Sequence, residues 1–140
     1  MKSSASAVWN GSLKDGSGKI SATSGVLNNS PFSFMTRFEG AKGTNPEELI
    51  AAAHSACFSM ATSAELGKAS ITPEAIQTTA TVVLEKNDAG FAITESNLVC
   101  TITAPGADQE KIRAAAAGAK ENCPISKLLN AKINLELKIN

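Results

Sequence analysis

The sequence predicts an α+β fold of mostly antiparallel strands and long helices, within a single domain spanning residues 1–140. Three observations predict this class. The predicted elements follow the order strands, helix, strands, helix, strand, which differs from the regular alternation of a parallel α/β sheet. A long, well-capped helix begins at Asn45. The C-terminal stretch KINLELKIN alternates apolar and polar residues, which is typical of a half-buried strand.

The first third of the chain predicts three short strands. Two of them, near Ala7–Ser12 and Lys19–Ser24, flank the glycine-rich turn Lys14–Lys19. A second turn at Asn28–Pro31 leads into FSFMTRF, Phe32–Phe38, which we expect to form the third strand.

The longest predicted helix runs from Asn45 to about Gly67, which is roughly 33 Å for about 22 residues. Asn45 is a good N-cap, Pro46 suits the first helical position, and Glu48 is placed to complete a capping box. Gly67 is the expected C-terminal stop.

This helix is apolar around most of its circumference, and its charged residues lie only at its two ends. Such a helix is expected to be buried on most sides. A chain of 140 residues has few other elements to surround it. We therefore expect a partner subunit to cover part of it, in a homodimer.

The second half of the chain predicts two long strands around a turn at Asn87–Gly90. An alanine-rich helix follows over Ala107–Cys123, and Pro124 opens one more short helix. The last strand places four apolar residues on one face: Ile133, Leu135, Leu137 and Ile139.

Charge and composition exclude several classes of partner. Thirteen basic and thirteen acidic side chains cancel, and no basic block stands out, which argues against nucleic acid or an anionic membrane. The sequence has no stretch of signal-peptide or transmembrane character. We expect a cytoplasmic protein, in which three cysteines are thiols or a transient redox pair.

Cys57 lies about three turns into the long helix, on its apolar side. It is either a small packing residue or a nucleophile. A nucleophile needs a thiolate, and an apolar site raises the pKa of a thiol, so a cation must come close. His54, three residues earlier on the same face, could lend a donor. Arg37 carries a permanent charge, and burying that charge is costly unless it is paired. The alternative interpretation is that Arg37 is an exposed charge on an edge strand.

The other two cysteines differ in context. Cys123 precedes Pro124 at a helix N-terminus, where a thiolate is favoured, or it is a boundary residue without a chemical role. Cys100 shares a strand face with Leu98 and Ile102, so core packing is the favoured interpretation.

We also considered metal sites and hydrolase triads. His54, Cys57 and Cys123 are zinc-ligand types, but the closely paired spacings of structural zinc sites are absent. No strand–turn–helix nucleophile elbow is evident. We therefore expect neither a metal site nor a hydrolase triad.

Three stretches together resemble the OsmC/Ohr family of thiol-dependent peroxidases: TRFEGAKGTNPEELIAAAHSACFSMA, DAGFAIT and CPISKLLNAKI. The resemblance runs from Trp9 to the last strand. It implies an intertwined α+β homodimer, with sheets wrapped around long central helices and two active sites at the subunit interface.

By the same resemblance, Cys57 matches the peroxidatic cysteine and Cys123 the resolving cysteine. Arg37 matches the arginine that holds the thiolate and orients the peroxide, and Glu47 matches its carboxylate partner. The implied reaction reduces organic hydroperoxides to alcohols. The implied reductant is a dithiol, notably dihydrolipoamide on lipoylated proteins.

Two questions stay open at this point. Glu47 and Cys57 are ten residues apart, or about 15 Å along a straight helix, so they cannot touch. Glu47 either reaches the site through Arg37 or is supplied by the partner's antiparallel helix. The alternative function is a non-catalytic small-molecule binding dimer that uses the same interfacial pocket, with cysteines that only pack.

Overall fold

The computed structural model describes all 140 residues, Met1–Asn140, as two compact units that comprise Met1–Leu49 and Ile50–Asn140. Groups of strands and groups of helices follow one another, as predicted for an α+β fold. In chain order they are β1 (Ala5–Asn10), β2 (Ser17–Ala22), β3 (Ser30–Ser33), α1 (Phe34–Phe38), α2 (Pro46–Lys68), β4 (Ala75–Asn87), β5 (Gly90–Thr103), α3 (Gln109–Asn122), α4 (Pro124–Leu128) and β6 (Lys132–Ile139).

The first unit contains an antiparallel sheet in the order β1-β2-β3. Strands β1 and β2 begin and end about two residues earlier than the sequence patterns indicate. The reason is the turn between them, in which the Asp15 and Gly16 amides donate to the Ser12 side chain and carbonyl. A side-chain turn of this kind competes with strand pairing.

The predicted third strand is wrong in its second half, because Phe34–Phe38 forms the short helix α1. Ser33 Oγ accepts from the Thr36 amide at 3.1 Å, and Thr36 Oγ1 accepts from the Ser33 amide at 2.8 Å. This reciprocal capping box overrides the strand preference of the aromatic residues. Arg37 therefore lies in the last turn of a helix rather than on a strand.

Helix α2 begins where the sequence predicts it. Asn45 Oδ1 accepts from the Glu48 amide at 2.8 Å, which confirms the N-cap. The reciprocal half of the expected capping box does not form, since the Glu48 carboxylate accepts instead from Thr44 Oγ1 at 2.9 Å.

Helix α2 does not end at Gly67. It ends in a Schellman motif, in which Ile71 N–H donates to the Leu66 carbonyl and Ser70 N–H donates to the Gly67 carbonyl. Ser70 takes the left-handed position, with a φ of 57°, that glycine usually occupies. The helix ends within one residue of the prediction, but the left-handed residue that stops it is Ser70 rather than Gly67.

The second unit contains the sheet β4-β5-β6. Strands β4 and β5 form the predicted antiparallel hairpin, which closes at the pair Asn87↔Gly90. Strand β6 returns through α3 and α4 and pairs with β5 in parallel. One parallel pair among otherwise antiparallel pairs fits the predicted α+β class.

The core of the second unit lies between this sheet and the helices α2 and α3. Phe58 and Leu66 of α2 are fully buried, as is Ile112 of α3. Each such side chain stabilises the fold by about 1.5–3 kcal/mol relative to leaving it in water. Cys100 is buried between Leu98 and Ile102 of β5, which confirms its packing role. The apolar face of β6 packs against the same core, as predicted.

Within one chain, α2 is buried along a single stripe that ends at Leu66. Its opposite side is apolar and exposed, with Met60 at 75% exposure. We call this side the exposed face of α2; it comprises Ala52, Ala53, Ala56, Met60 and Ala64. None of the helices combines the length and hydrophobicity that a membrane crossing requires.

The only histidine of the chain joins three elements of the second unit. His54 of α2 is fully buried. Its Nδ1 lies 2.7 Å from Ser96 Oγ of β5, and its Nε2 lies 2.9 Å from Ser126 Oγ of α4. A neutral imidazole donates from one nitrogen and accepts at the other, and a serine hydroxyl can take either part. Burial lowers the pKa of His54.

This lowered pKa predicts that the protein loses stability as the pH falls below about 6.5. The unfolded chain takes up a proton there, whereas the folded chain does so only at lower pH. The free energy of unfolding should fall by up to about 1.4 kcal/mol per pH unit between about pH 6.5 and 5.5. Urea melts at fixed protein concentration measure it.

The matched control is His54→Gln, whose free energy of unfolding should change much less over this pH range, whatever its absolute stability. A wild-type protein that is equally stable at both ends of the range would contradict a buried, neutral His54.

Candidate active site

The central feature of the second unit is a contact between two cysteine sulfurs. Cys57 Sγ of α2 and Cys123 Sγ lie 3.2 Å apart, although 66 residues separate them in sequence. Cys57 is partly exposed and Cys123 is buried, and both are free thiols. A disulfide bond is about 2.05 Å long, so these sulfurs need to approach by only about 1 Å to bond.

The junction of α3 and α4 holds Cys123 in place. This residue is the C-cap of α3 and the N-cap of α4 at the same time. Its amide donates to the Ala119 carbonyl at 2.8 Å, and its carbonyl accepts from the Lys127 amide at 3.0 Å. Pro124 separates the helices because it has no amide hydrogen to continue α3.

The surroundings of Cys57 favour the neutral thiol. Burial raises the pKa of Cys57, and the neighbouring Cys123 raises it further. The Ile125 amide donates to Cys57 and lowers the pKa, but burial has the larger effect. The direction agrees with the sequence-based expectation for an apolar site. A reactive thiolate at neutral pH therefore needs a cation in addition.

In the first unit, Arg37 and Glu47 form a two-point ion pair. Arg37 Nη2 lies 2.6 Å from Glu47 Oε1, and Arg37 Nε lies 3.1 Å from Glu47 Oε2. The guanidinium also lies over the Phe38 ring, 5.2 Å from its centroid. Paired bonds of this kind fix the plane of the guanidinium as well as its position. Glu47 thus reaches Arg37 within one chain.

Arg37 lies at the wall of a cavity of about 310 Å³ in the first unit. Most of the wall is apolar, and the lining residues are Trp9, Leu13, Phe32, Ser33, Phe34, Arg37, Phe38, Asn45 and Pro46. A pocket of this size and character suits a small apolar ligand.

The aromatic part of this wall depends on a glycine. Trp9, Gly18 and Phe32 are opposite one another across β1, β2 and β3. The Phe32 ring covers Gly18 so closely that a Cβ atom there would overlap the ring. The Trp9 and Phe32 ring centroids are 5.5 Å apart. Glycine at position 18 therefore allows the two rings to meet.

The apolar residues of the sequence predict a substrate pocket lined by Phe32, Phe34, Met35, Ile50 and Phe58, and this prediction is correct only in part. Phe32 and Phe34 line the cavity, but Phe58 is fully buried in the core and Met35 is largely exposed. Trp9 and Leu13 were missed. Strand register across β1 and β2 brings Trp9 to the cavity, and a register is visible in sequence only after the turn has been placed correctly.

His54 is not the donor to Cys57 that its sequence spacing would allow. Both ring nitrogens bind serine hydroxyls, and sequence spacing alone gave no sign of Ser96 or Ser126. The amide of Ile125 was also missed, since a backbone donor carries no sequence signal. The structure contains no cluster of three or more histidine, cysteine or carboxylate side chains that could hold a metal ion.

Comparison with known proteins extends these observations. Residues 39–138 match the family described as OsmC-like protein. The chain is 53% identical to Peroxiredoxin OsmC of Escherichia coli over 131 residues, which is 94% of this chain and 92% of that protein.

Solved structures show the same fold. The crystal structure of the organic hydroperoxide resistance protein OhrB of Bacillus subtilis superposes with a TM-score of 0.72 at 28% identity, covering 96% of this chain and 98% of OhrB. An organic hydroperoxide resistance protein from Elizabethkingia anophelis gives a TM-score of 0.75 at 27% identity, covering 98% of this chain and 96% of that protein. The chain belongs to the OsmC-like protein family.

Proposed function

We propose that this protein is a thiol-dependent peroxidase that reduces organic hydroperoxides to alcohols. The observation that carries the proposal is the 3.2 Å contact between Cys57 and Cys123. Two thiols at that distance, in a chain 53% identical to a peroxiredoxin, suit a cycle of oxidation and disulfide formation.

In the first step, the Cys57 thiolate attacks the terminal oxygen of the hydroperoxide. The sulfur–oxygen bond forms as the oxygen–oxygen bond breaks, and the alkoxide leaves and takes up a proton to become the alcohol. Cys57 is oxidised by two electrons to the sulfenic acid. Its partial exposure supports this role, because the peroxide must reach the sulfur.

In the second step, Cys123 attacks the sulfenic sulfur. The sulfur–sulfur bond forms, the sulfur–oxygen bond breaks, and the departing hydroxide takes up a proton to become water. The burial of Cys123 supports its assignment as the resolving cysteine, since it is shielded from the substrate but touches Cys57.

A dithiol then reduces the disulfide by thiol–disulfide exchange and is itself oxidised to a disulfide. Dihydrolipoamide carried on lipoylated proteins has the required chemistry. The cycle uses no metal or organic cofactor, because sulfur carries every electron pair.

We assign to Arg37 the cation that Cys57 requires, with Glu47 as the residue that orients it. The permanent charge of a guanidinium suits this role, and the two-point ion pair supplies the orientation. Charge on Arg37 also stabilises the alkoxide as it develops. The apolar cavity beside Arg37 suits the hydrocarbon part of an alkyl hydroperoxide better than hydrogen peroxide.

We further propose that the protein is a cytoplasmic homodimer of single-domain chains. All six residues of β1 are exposed in one chain, and so are the five apolar residues that form the exposed face of α2. An apolar helix face that one chain leaves exposed is typical of an interface. The three free cysteines suit a reducing compartment. Sedimentation equilibrium should give twice the mass of one chain at micromolar concentration, and a monomer there would refute the dimer.

Replacing either cysteine should stop turnover at a different step. Cys57→Ser should abolish consumption of cumene hydroperoxide, because no nucleophile remains. Cys123→Ser should consume one equivalent and then stop, with a sulfenic acid that dimedone traps, because nothing resolves it. Stopped-flow peroxide assays and intact mass measure both outcomes.

Cys100→Ser is the matched control, since Cys100 is buried in the core and should be dispensable for turnover. Undiminished turnover by Cys57→Ser would reject the proposed function. A protein that only bound the hydroperoxide would keep all of its thiols.

Removing the Arg37 charge should raise the pKa of the Cys57 thiol by about one unit or more. The test is the pH dependence of Cys57 alkylation in a Cys123→Ser background, compared with and without Arg37→Ala. Peroxide consumption at neutral pH should slow about tenfold or more, in line with the smaller thiolate fraction.

The other arginine of the chain gives the matched control. Arg113 is exposed and pairs only loosely with Glu110, at 3.8 Å, so Arg113→Ala should leave the alkylation profile unchanged. If Arg37→Ala and Arg113→Ala gave the same profile as the wild type, Arg37 would have no part in activating Cys57.

A further inference from the structure

Helix α4 carries three of the groups that meet α2 near the two sulfurs. Cys123 at its N-cap touches Cys57, the Ile125 amide donates to Cys57, and Ser126 Oγ lies 2.9 Å from His54 Nε2. Since His54 and Cys57 are three residues apart on one helix, these contacts converge on about one turn of α2.

Apart from these contacts, α4 packs against the core through Ile125, which is half-buried. The helix is five residues long, none of them is fully buried, and the side chain of its N-cap residue does not cap the helix. Leu128 is 76% exposed. A helix this short is marginal by itself, so its position depends on the contacts it makes with its neighbours.

His54 is far better anchored than the helix it binds. It is fully buried, and its second nitrogen is bound to Ser96, which is also fully buried on β5. The hydrogen bond to Ser126 therefore connects a weakly packed element to the rigid part of the unit.

We propose that His54 is a positioning residue that acts through Ser126 to hold Cys123 against Cys57. This inference rests on the proposed function and concerns its second step. When Cys57 becomes a sulfenic acid, the added oxygen must be accommodated between two sulfurs that were in contact. The His54–Ser126 bond keeps α4 from moving away, so that Cys123 attacks before a second peroxide oxidises Cys57 to the sulfinic acid.

The matched variants are Ser126→Val and Ser126→Thr. Their side chains have nearly the same shape, but only threonine retains the hydroxyl that binds His54. The half-buried position of Ser126 tolerates either side chain better than a core position would. Ser126→Ala is a second variant without the hydroxyl that adds no volume.

The experiment is a single turnover of the fully reduced protein with one equivalent of cumene hydroperoxide. Loss of hydroperoxide gives the rate of the first step. Intact mass after acid quench gives the rate of disulfide formation, and dimedone reports the sulfenic acid that accumulates.

In Ser126→Val and Ser126→Ala, disulfide formation should slow by about three- to tenfold, as expected for the loss of one hydrogen bond. The first step should change less than the second. The trapped sulfenic acid should increase, and repeated dosing should give more sulfinic acid. Ser126→Thr should restore the wild-type rate of disulfide formation. A general loss of structure would slow both steps and would not be rescued in this way.

Wild-type rates of disulfide formation in the valine and alanine variants would overturn the inference, as would equal slowing of both steps. If instead the wild-type protein kept its Cys57 thiol in the presence of hydroperoxide, the proposed function itself would fail. The two failures are therefore distinguishable in one experiment.

Discussion

The structure depends on one contact, the approach of Cys57 and Cys123 to 3.2 Å. Two features of the fold position the two sulfurs. Phe58 and Leu66 anchor α2 in the core, and this fixes the position of Cys57 relative to the core. The break between α3 and α4 turns Cys123 inward. Because 66 residues separate the sulfurs, tertiary packing rather than local chain geometry sets their distance.

The surroundings of Cys57 disfavour its ionisation, so that a thiolate at neutral pH needs a nearby cation. Burial raises the pKa of the Cys57 thiol, and the Ile125 amide offsets this only in part. His54 cannot supply a positive charge cheaply, since its own burial disfavours the imidazolium. A guanidinium carries a permanent charge, and the pairing of Arg37 with Glu47 holds its guanidinium in a defined orientation. Under the proposed function, activation of Cys57 is the role of this permanent charge, and His54 has a hydrogen-bonding role.

Sequence reasoning succeeded where the signal was periodic or local. The N-cap of α2, the β4–β5 hairpin and the alternating strand β6 follow from patterns that single segments carry. It failed where two local preferences competed. Aromatic residues favoured a strand over Phe34–Phe38, but the Ser33 capping box formed a helix. Resemblance to a known family pointed to both cysteines and to Arg37 and Glu47. It did not reveal the serines that bind His54, because scattered serines carry no pattern.

The account is tested most directly by mapping the disulfide that one equivalent of cumene hydroperoxide creates in the reduced protein. Peptide mass spectrometry under non-reducing conditions should find Cys57 linked to Cys123 within one chain, with Cys100 still a free thiol. The linkage should vanish on treatment with dihydrolipoamide. A link through Cys100, a link between chains, or no link after the peroxide has been consumed would contradict the claim that these two sulfurs carry the reaction.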